Sequence, residues 1–426
     1  MKLFTAVQIL LAPLALGAAV TKVEKKVSYD GYRAFRISTH NDAAAVSKKI
    51  AGLDFVPFNL DTKDHMDLAV APKDVATFEA LGLETSILNK DLGADIAEEA
   101  KFAPYETTTI GTAAVPAISW FNSYHAYADH QTFLNDLQGA FPANSELISA
   151  GTSGGGRPLY GIHIWGSGGK GSKPAVYFHG TVHAREWIST MVVEYLTYQL
   201  LTQYSTNTTV KAIVDSYDFY ILPIINPDGF VYTQTTNRLW RKNRLTRSGT
   251  SCVGTDMNRN WPYNWALTGG ASTDPCSETY KGVAAGDTAE IRALVALTTT
   301  IRAAQGIKLF IDWHSYGQYI LTPFGYSCTA RPTNQARQTT LSSGLAARIA
   351  LSYGTRFTYG PSCSTLYATT GSSPDYMHAV ATAEFAWTIE LRPSSGTSNG
   401  FVLAASSILP AAIEQWQGML YLLPTM

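Results

Sequence analysis

The chain has 426 residues, of which 46% are hydrophobic and 15% are charged, and its formal net charge is −1. This composition is typical of a folded protein with a large core, and it excludes a disordered chain and a long coiled coil. Because no long basic run is present, we expect no nucleic acid partner. Beyond the N-terminus no apolar stretch approaches the ~20 residues that span a bilayer, so we expect no membrane partner.

The N-terminus is typical of a secretory signal peptide over residues 1–19. Lys2 precedes an apolar run over residues 3–16, and small residues follow at 17–19. A positive start, an apolar middle and a small-residue exit are the pattern of a cleaved signal. The alternative is a membrane anchor, but the run is short and lacks flanking stop-transfer charges. We therefore predict a secreted, extracellular protein.

Secretion into an oxidising compartment favours disulfides between the four cysteines. Three pairings are open to them. We favour Cys252–Cys276, because it closes a moderate loop, together with Cys328–Cys363.

Residues 20–112 are rich in charged residues and acidic, whereas residues 113–426 are charge-poor and slightly basic, which indicates a domain boundary. The first segment alternates short apolar patterns of strand and helix period, which predicts a small α+β domain without a catalytic cluster. A Thr-, Ala- and Pro-rich stretch over 103–117 predicts an exposed linker, with an ordered loop as the alternative. The predicted strands are 32–37, 66–70 and 84–88, and the predicted helices are 43–50, 73–81 and 95–102.

The second segment alternates apolar strands with amphipathic helices, which predicts an α/β domain with a mixed, mostly parallel sheet flanked by helices. In such folds the active site lies beyond the carboxyl ends of the strands. The predicted strands are 159–165, 175–179, 219–225 and 309–313, and the predicted helices are 186–204, 290–304 and 339–353.

Three residues at predicted strand ends have the chemistry of a catalytic zinc site. His183 and Glu186 follow an apolar strand and share one face of a helical turn, and His314 ends another strand. Two His and one Glu leave a fourth position for water, unlike a closed structural site. Each alone has a simpler interpretation, since the His-x-x-Glu pair recurs on solvated helices and a single His is more often a core residue.

Several other polar residues lie in this charge-poor domain. Arg238, Arg241 and the Asn258-Arg259 pair can recognise an anion, because a guanidinium matches a carboxylate bidentately; the alternative for each is a solvated loop. Glu390 ends an apolar strand, where a carboxylate is costly without a partner or a function, and an ion pair with an arginine is its alternative.

Taken together, seven motifs resemble the zinc metallocarboxypeptidases of the pancreatic A/B type, in that family's order. The resemblance covers residues 118–426, and residues 20–112 resemble the family's inhibitory pro-segment. It implies a carboxypeptidase-like fold with a signal peptide at 1–19, a pro-segment at 20–102, an activation linker at 103–117 and a catalytic domain at 118–426. The motifs are His183-Ala-Arg-Glu-Trp187, Asn226-Pro-Asp-Gly229, Arg238-Leu-Trp-Arg-Lys242, Asp256-Met-Asn-Arg-Asn-Trp261, Cys276-Ser-Glu-Thr-Tyr280, His314-Ser-Tyr316 and Glu390-Leu391.

The resemblance assigns a role to each matched position. One Zn²⁺ is bound by His183, Glu186 and His314, and Asp256 orients His183. Glu390 is the general base, and Arg241 stabilises the oxyanion. The groups that hold the substrate's terminal carboxylate are Asn258, Arg259 and Tyr367, and those of the outer subsites are Arg185, Ser315 and Tyr316. The resemblance also implies the Cys252–Cys276 disulfide.

The specificity pocket is implied by the same alignment. Pro374 occupies the position at which B-type enzymes carry an acid, which predicts A-type release of apolar or aromatic residues. A one-residue shift of the alignment would instead place Asp375 in the pocket, since this chain has an extra residue between Tyr367 and Glu390. The other matched pocket positions, all uncharged, are Leu321, Gly325, Thr369 and Thr388.

The implied partners are peptide and protein C-termini, the chain's own pro-segment and an activating protease, and we expect a monomer. No Lys or Arg lies between Lys101 and Arg157, so activation occurs at Lys101 or by a protease of another preference. Two alternatives are a zinc amidohydrolase acting on small acylated amino acids and a non-catalytic binding protein. The carboxylate-binding set argues against the first, and the intact Glu390 and zinc ligands argue against the second.

Overall fold

The computed structural model describes residues 25–60, 62–111, 113–395 and 400–426. The predicted signal peptide at 1–19 lies outside them. The described residues form a small N-terminal α+β unit, a short hairpin and a large α/β unit.

The N-terminal unit is an antiparallel sheet of strand order β2-β3-β1-β4, covered by helices. Phe35 and Ile37 alternate towards the helices and pack with Phe78 in one apolar cluster. The strands are β1 (Arg33–Ser38), β2 (Phe55–Pro57), β3 (His65–Val70) and β4 (Thr85–Asn89), and the helices are α1 (Ala43–Ile50), α2 (Val75–Glu79) and α3 (Leu92–Glu99).

Two predicted helices of this unit have other bounds. The third helix begins at Leu92, earlier than the predicted 95, because the Asp91 side chain accepts a hydrogen bond from the Ala94 N–H and caps the helix there. The predicted helix over 73–81 is divided into a 3₁₀ turn, Pro72–Asp74, and the shorter α2, because Pro72 supplies the first turn.

The predicted linker is ordered. Residues 103–117 contain a two-stranded antiparallel hairpin, β5 (Thr107–Ile110) and β6 (Ala113–Pro116). All four residues of β5 are exposed, whereas Val115 and Pro116 are buried against the large unit. The Thr-, Ala- and Pro-rich residues that suggested an exposed linker therefore form a two-stranded hairpin.

The large unit is built on a mixed sheet of strand order β13-β12-β14-β11-β9-β10-β8-β7. The central pairs β14–β11, β11–β9 and β9–β10 are parallel, and the β7–β8, β8–β10 and β12–β14 pairs are antiparallel. The strands are β7 (Ser145–Thr152), β8 (Pro158–Ile164), β9 (Ala175–Gly180), β10 (Asp218–Leu222), β11 (Ile307–Gly317), β12 (Tyr319–Thr322), β13 (Thr358–Pro361) and β14 (Phe385–Ser394).

Helices cover both faces of this sheet, so its central strands read as continuous apolar runs. Every residue of β9 is buried, and α5 is buried over almost its whole length. The apolar core divides into two clusters, one on each side of the sheet. The helices are α4 (Tyr127–Ala140), α5 (Trp187–Gln203), α6 (Thr208–Ser216), α7 (Pro227–Thr235), α8 (Ala289–Gln305), α9 (Gln335–Tyr353), α10 (Ser362–Thr365), α11 (Ser373–Ala379) and α12 (Ile408–Thr425).

Both favoured disulfides are present. Cys252 pairs with Cys276, and Cys328 pairs with Cys363. The second bond joins the loop after β12 to the start of α10, and Ser362 and Thr365 of α10 line the site described below. Within the described ranges, no helix combines the length and apolarity that crossing a bilayer requires.

Candidate active site

The register of three central strands places the polar residues of the site side by side. His314 of β11 lies opposite Glu390 of β14, and Asp312 lies opposite Thr388 of β14 on one side and His179 of β9 on the other. Residues two apart on a strand point to the same face, so Asp312 and His314 share that face. The carboxyl ends of parallel strands thus converge at one edge of the sheet, where the sequence predicts the site.

The predicted metal ligands form a compact, buried cluster. The Nδ1 atoms of His183 and His314 are 3.1 Å apart. Glu186 places one carboxylate oxygen 2.8 Å from Nδ1 of His183 and the other 3.1 Å from Nδ1 of His314. Among the described residues, these three form the one group of His, Cys, Asp or Glu side chains whose donor atoms converge within 4.8 Å.

Asp256 supports His183 through its Nε2 atom, the ring nitrogen that does not face the other two predicted ligands. Its carboxylate lies 3.2 Å from Nε2 of His183 and accepts a hydrogen bond of 2.9 Å from the Arg241 guanidinium. Burial opposes ionisation of Asp256, but Arg241 and His183 outweigh it and hold the pKa of this carboxyl well below its usual range. One carboxylate therefore orients both a predicted metal ligand and the predicted oxyanion-stabilising arginine.

Two supports of the cluster were missed by sequence reasoning. The Ser315 backbone N–H donates to Glu186 at 3.1 Å, which no side-chain motif could indicate. Asp312 lies 2.9 Å from Nε2 of His314, and the signal that could have found it is a carboxylate two residues before a predicted ligand in an apolar strand. Burial lowers the pKa of His314, but the Asp312 and Glu186 carboxylates outweigh it and raise that pKa well above its usual range.

Glu390 lies next to the cluster. Burial raises the pKa of its carboxyl to about 8, with the nearby Glu186 carboxylate adding to the effect. Its Oε2 finds no hydrogen-bond partner among the described groups. The predicted alternative, an ion pair with Arg392, is not formed, because Arg392 pairs with Glu414 instead. Glu390 therefore faces the cavity as a carboxyl that holds a proton readily.

The three residues predicted to bind a carboxylate line the same cavity. Asn258 is fixed by the Ser373 N–H, which donates to its Oδ1 at 2.8 Å, and Arg259 donates to the Asn258 carbonyl at 2.9 Å. Both side chains are almost fully buried. Tyr367 is half-buried on the opposite segment, after α10.

Four of the five predicted pocket residues line this cavity, namely Leu321, Thr369, Pro374 and Thr388, whereas Gly325 is not among its lining residues. Leu321 of β12 lies opposite Thr388 of β14. Gly325 is required by close packing, since a Cβ there would lie 2.1 Å from Oγ1 of Thr369. Pro374 is in the first turn of α11.

Asp375, the next residue, turns its carboxylate to the backbone. It accepts hydrogen bonds from the Gly325 N–H at 2.9 Å and the Tyr326 N–H at 2.9 Å. Burial raises its pKa to about 6.

The N-terminal unit forms one wall of the cavity. The cavity measures about 240 Å³, and its walls include Phe58, Asn59 and His65 of that unit as well as the metal cluster. Phe58 and Tyr316 both pack on Phe401, at ring distances of 6.1 and 5.0 Å.

The predicted outer-subsite residues lie at this contact. The Arg185 guanidinium is 4.0 Å above the Phe401 ring and 3.4 Å from Glu278. Ser315 and Tyr316 have hydroxyls that are buried without a partner among the described groups.

A buried ion pair joins the two units. Arg238 donates to both carboxylate oxygens of Glu99 in α3, at 2.6 and 2.9 Å, and its guanidinium stacks 3.8 Å above Trp187. Both side chains are at most 4% exposed. Nearby, Tyr29 donates to Asn237 at 2.7 Å.

Similar proteins share both sequence and fold. A family model described as zinc carboxypeptidase matches residues 130–418. Metallocarboxypeptidase A of Trichophyton equinum is 42% identical over 422 residues, covering 97% of each chain. The solved carboxypeptidase A of Helicoverpa armigera is 25% identical with a TM-score of 0.75, covering 92% of this chain and 96% of that one. The structure of thrombin activatable fibrinolysis inhibitor has a TM-score of 0.84 at 23% identity, covering 93% and 99%, and bears on the fold alone.

Proposed function

The chain belongs to the zinc carboxypeptidase family and is a zinc-dependent peptidase, and on this premise we propose that it is a secreted exopeptidase made as a zymogen. It removes apolar or aromatic residues from the C-termini of peptides and proteins. The observation that carries this proposal is the position of Asn258 and Arg259, which line one cavity with the His183–Glu186–His314 cluster.

The donor set fits a single zinc ion. Nε2 of each histidine faces a carboxylate, Asp256 or Asp312, so in each ring Nδ1 is free to turn its lone pair to a metal. Two such lone pairs 3.1 Å apart repel each other unless a cation lies between them. Zinc bound there supplies a Lewis acid that polarises the scissile carbonyl and makes water a better nucleophile.

The chain's own residues supply the proton transfer and the charge stabilisation. Glu390 takes a proton from the attacking water and passes it to the leaving amine, and the raised pKa of its buried carboxyl favours the first of these steps. Arg241 is held by Asp256 and directs its remaining N–H groups to the developing oxyanion, where a preorganised donor is most effective.

An exopeptidase must recognise a free carboxylate, and Arg259, Asn258 and Tyr367 provide this recognition. The guanidinium of Arg259 is buried and pinned to the backbone, so it offers its donors in a fixed geometry. An endopeptidase would have no use for a buried cation beside its pocket, since an internal peptide bond presents no charge there.

The pocket geometry supports the preference for apolar residues. Pro374 and Leu321 contribute apolar surface to the cavity. Asp375 also lines this cavity, but both oxygens of its carboxylate already accept hydrogen bonds from the Gly325 and Tyr326 N–H groups, which weakens it as a partner for a basic side chain.

The contacts of residues 20–102 support their role as an inhibitory pro-segment. Phe58 and His65 stand at the mouth of the cavity, where the main chain of a long substrate would lie. The Glu99–Arg238 pair fastens this segment to the catalytic domain. A blocked cavity explains why activation requires proteolysis.

The hairpin tip is the best site for that cut. Residues 107–111 are exposed, whereas Tyr105 and Val115 on either side are held by the catalytic domain. With no Lys or Arg at residues 102–156, we expect a protease that accepts small uncharged residues. N-terminal sequencing of protein recovered from the producing culture will locate the cut; a new terminus directly after Lys101 would contradict the hairpin site.

The deciding experiment is release of the C-terminal residue from blocked peptides ending in Phe, Leu or Arg, with protein cut in the hairpin. We expect release of Phe and Leu but not Arg, abolished by a zinc chelator and restored by zinc. Release of Arg would overturn the pocket assignment. No release by the zinc-loaded protein would overturn the exopeptidase proposal and favour the amidohydrolase, for which an acylated amino acid is the test substrate.

A further inference from the structure

Asp312 is a fully buried carboxylate in the middle of the apolar strand β11. A buried charge of this kind costs free energy unless it is paired. Its Oδ2 lies 2.9 Å from Nε2 of His314 and accepts a hydrogen bond from the Ser373 hydroxyl, and its Oδ1 lies 3.0 Å from Nε2 of His179. None of the seven motifs contains Asp312, His179 or Ser373, so the family resemblance assigns them no role.

We propose that Asp312 is a positioning residue that holds the His314 ring with Nδ1 towards the metal, and that His179 and Ser373 fix Asp312 in place. The inference rests on the proposed use of the cluster as a zinc site. It gives each metal histidine a buried carboxylate close to its Nε2 atom: Asp256 at 3.2 Å from His183 and Asp312 at 2.9 Å from His314.

Among the polar groups around Nε2 of His314, Asp312 is the one that can accept its proton in a hydrogen bond. A histidine that binds metal through Nδ1 carries its proton on Nε2 and needs an acceptor there. The other polar atom close by is Nδ2 of Asn258, at 3.3 Å. That atom is an amide donor, because the Asn258 Oδ1 is already identified as the acceptor of the Ser373 N–H.

Sheet register explains how Asp312 is held. His179 lies directly opposite Asp312 on the neighbouring strand, and both are fully buried. Ser373 approaches from α11, and its next residue is Pro374 of the pocket. The Ser373 hydroxyl therefore contacts Asp312, and its backbone N–H contacts the carboxylate-binding Asn258, so this serine links the two residues.

The test is the zinc affinity of the full-length protein, measured by competition with a chromogenic chelator. Loss of a carboxylate behind a metal histidine weakens binding by about 10- to 100-fold, which we expect for Asp312→Asn. The visible absorption of the cobalt-substituted variant will also change, because the ring of one ligand is no longer fixed. Asp218→Asn is the matched control. Asp218 of strand β10 is equally buried, lies 3.2 Å from His163 of β8 and is outside the metal cluster.

A zinc affinity of Asp312→Asn within about twofold of the wild type, or an equal loss in Asp218→Asn, would overturn the inference. If Asp312→Asn does not fold, Ser373→Ala decides. It removes one hydrogen bond to Asp312 and keeps the backbone N–H, so we expect about a threefold loss of zinc affinity and a shifted cobalt spectrum. An unchanged affinity in Ser373→Ala would then overturn the inference. If wild-type protein itself binds no zinc, the proposed function fails first.

Discussion

Arg238 and Arg241 lie three residues apart, are both almost fully buried, and belong to different regions. Arg241 is in the metal region, where its partner Asp256 also orients His183. Arg238 is in the interface with the proposed pro-segment, where its partner Glu99 comes from the N-terminal unit. In the first region the charged groups support one another within one unit. In the second, an ion pair joins two units. Removing a charge from the metal region should therefore change the catalytic rate. Removing a charge from the interface should change how long the proposed pro-segment inhibits the enzyme after cleavage.

Glu390→Gln gives the largest expected effect and breaks the metal region alone. Without a general base, kcat of the cut enzyme should fall by about 10²- to 10⁴-fold, measured on a blocked peptide ending in Phe. Zinc content and pro-segment binding should be unchanged, because Glu390 belongs to neither the donor cluster nor the interface. Loss of zinc in this variant would show that Glu390 is a ligand.

Glu99→Gln breaks the interface alone. It leaves Arg238 buried without a countercharge, which typically costs about 3–5 kcal/mol, so the pro-segment should leave the cut protein far faster than in the wild type. The measurement is the delay between hairpin cleavage and full activity. Glu98→Gln is the matched control, since Glu98 is 71% exposed and pairs with Lys101 in solvent. Equal delays in the wild type and Glu99→Gln would show that the ion pair does not fasten the pro-segment.

This comparison also explains what the sequence could predict. Residues of the metal region lie in short motifs at strand ends, so His183, Glu186 and His314 could be grouped before their distances were known. Four strands and three helices of the large unit followed from their apolar periodicity, and the structure moved their ends by only a few residues. Other helices, among them α4, α6, α7 and the C-terminal α12, were not predicted. Local sequence patterns are sufficient to predict a site or an element when the residues that form it are neighbours in the chain.

The interface and the His179 support of Asp312 could not be predicted, because these partners are distant in the chain. Glu99 and Arg238 are 139 residues apart, and neither local sequence indicates the other residue as its partner. Asp312 meets His179 only when β9 and β11 are in register, whereas its proximity to His314 could have been inferred from their spacing of two residues. The hairpin was missed for a different reason, since Thr- and Ala-rich segments fit both a loop and an edge strand.

Arg241→Lys tests whether Arg241 acts in catalysis independently of Arg238 and its interface. A lysine keeps the charge but cannot hold Asp256 and reach the oxyanion together, so kcat should fall by about 10²- to 10³-fold with little change in KM. The delay in activation should match the wild type. Arg244→Lys is a control on the same segment, since Arg244 stacks on Tyr232 outside the cavity. A lengthened or shortened delay in Arg241→Lys would mean that the two regions are coupled.

Asp375→Asn has the smallest expected effect and concerns a carboxylate of the metal region that has backbone partners instead of a countercharge. Burial raises the pKa of Asp375 from 3.8 to about 6 in the folded protein, so the folded state binds this proton more tightly than the unfolded chain. Its stabilising contribution is therefore complete below about pH 4 and is lost as the pH rises through about 6. Urea titrations of the metal-free proteins give the free energy of unfolding of the wild type and of Asp375→Asn. The difference, wild type minus variant, should fall by a few kcal/mol between pH 4 and pH 7. Asparagine still accepts the Gly325 and Tyr326 N–H groups through its Oδ1, so the variant should fold, and a difference that is constant with pH would show that Asp375 is ionised throughout this range.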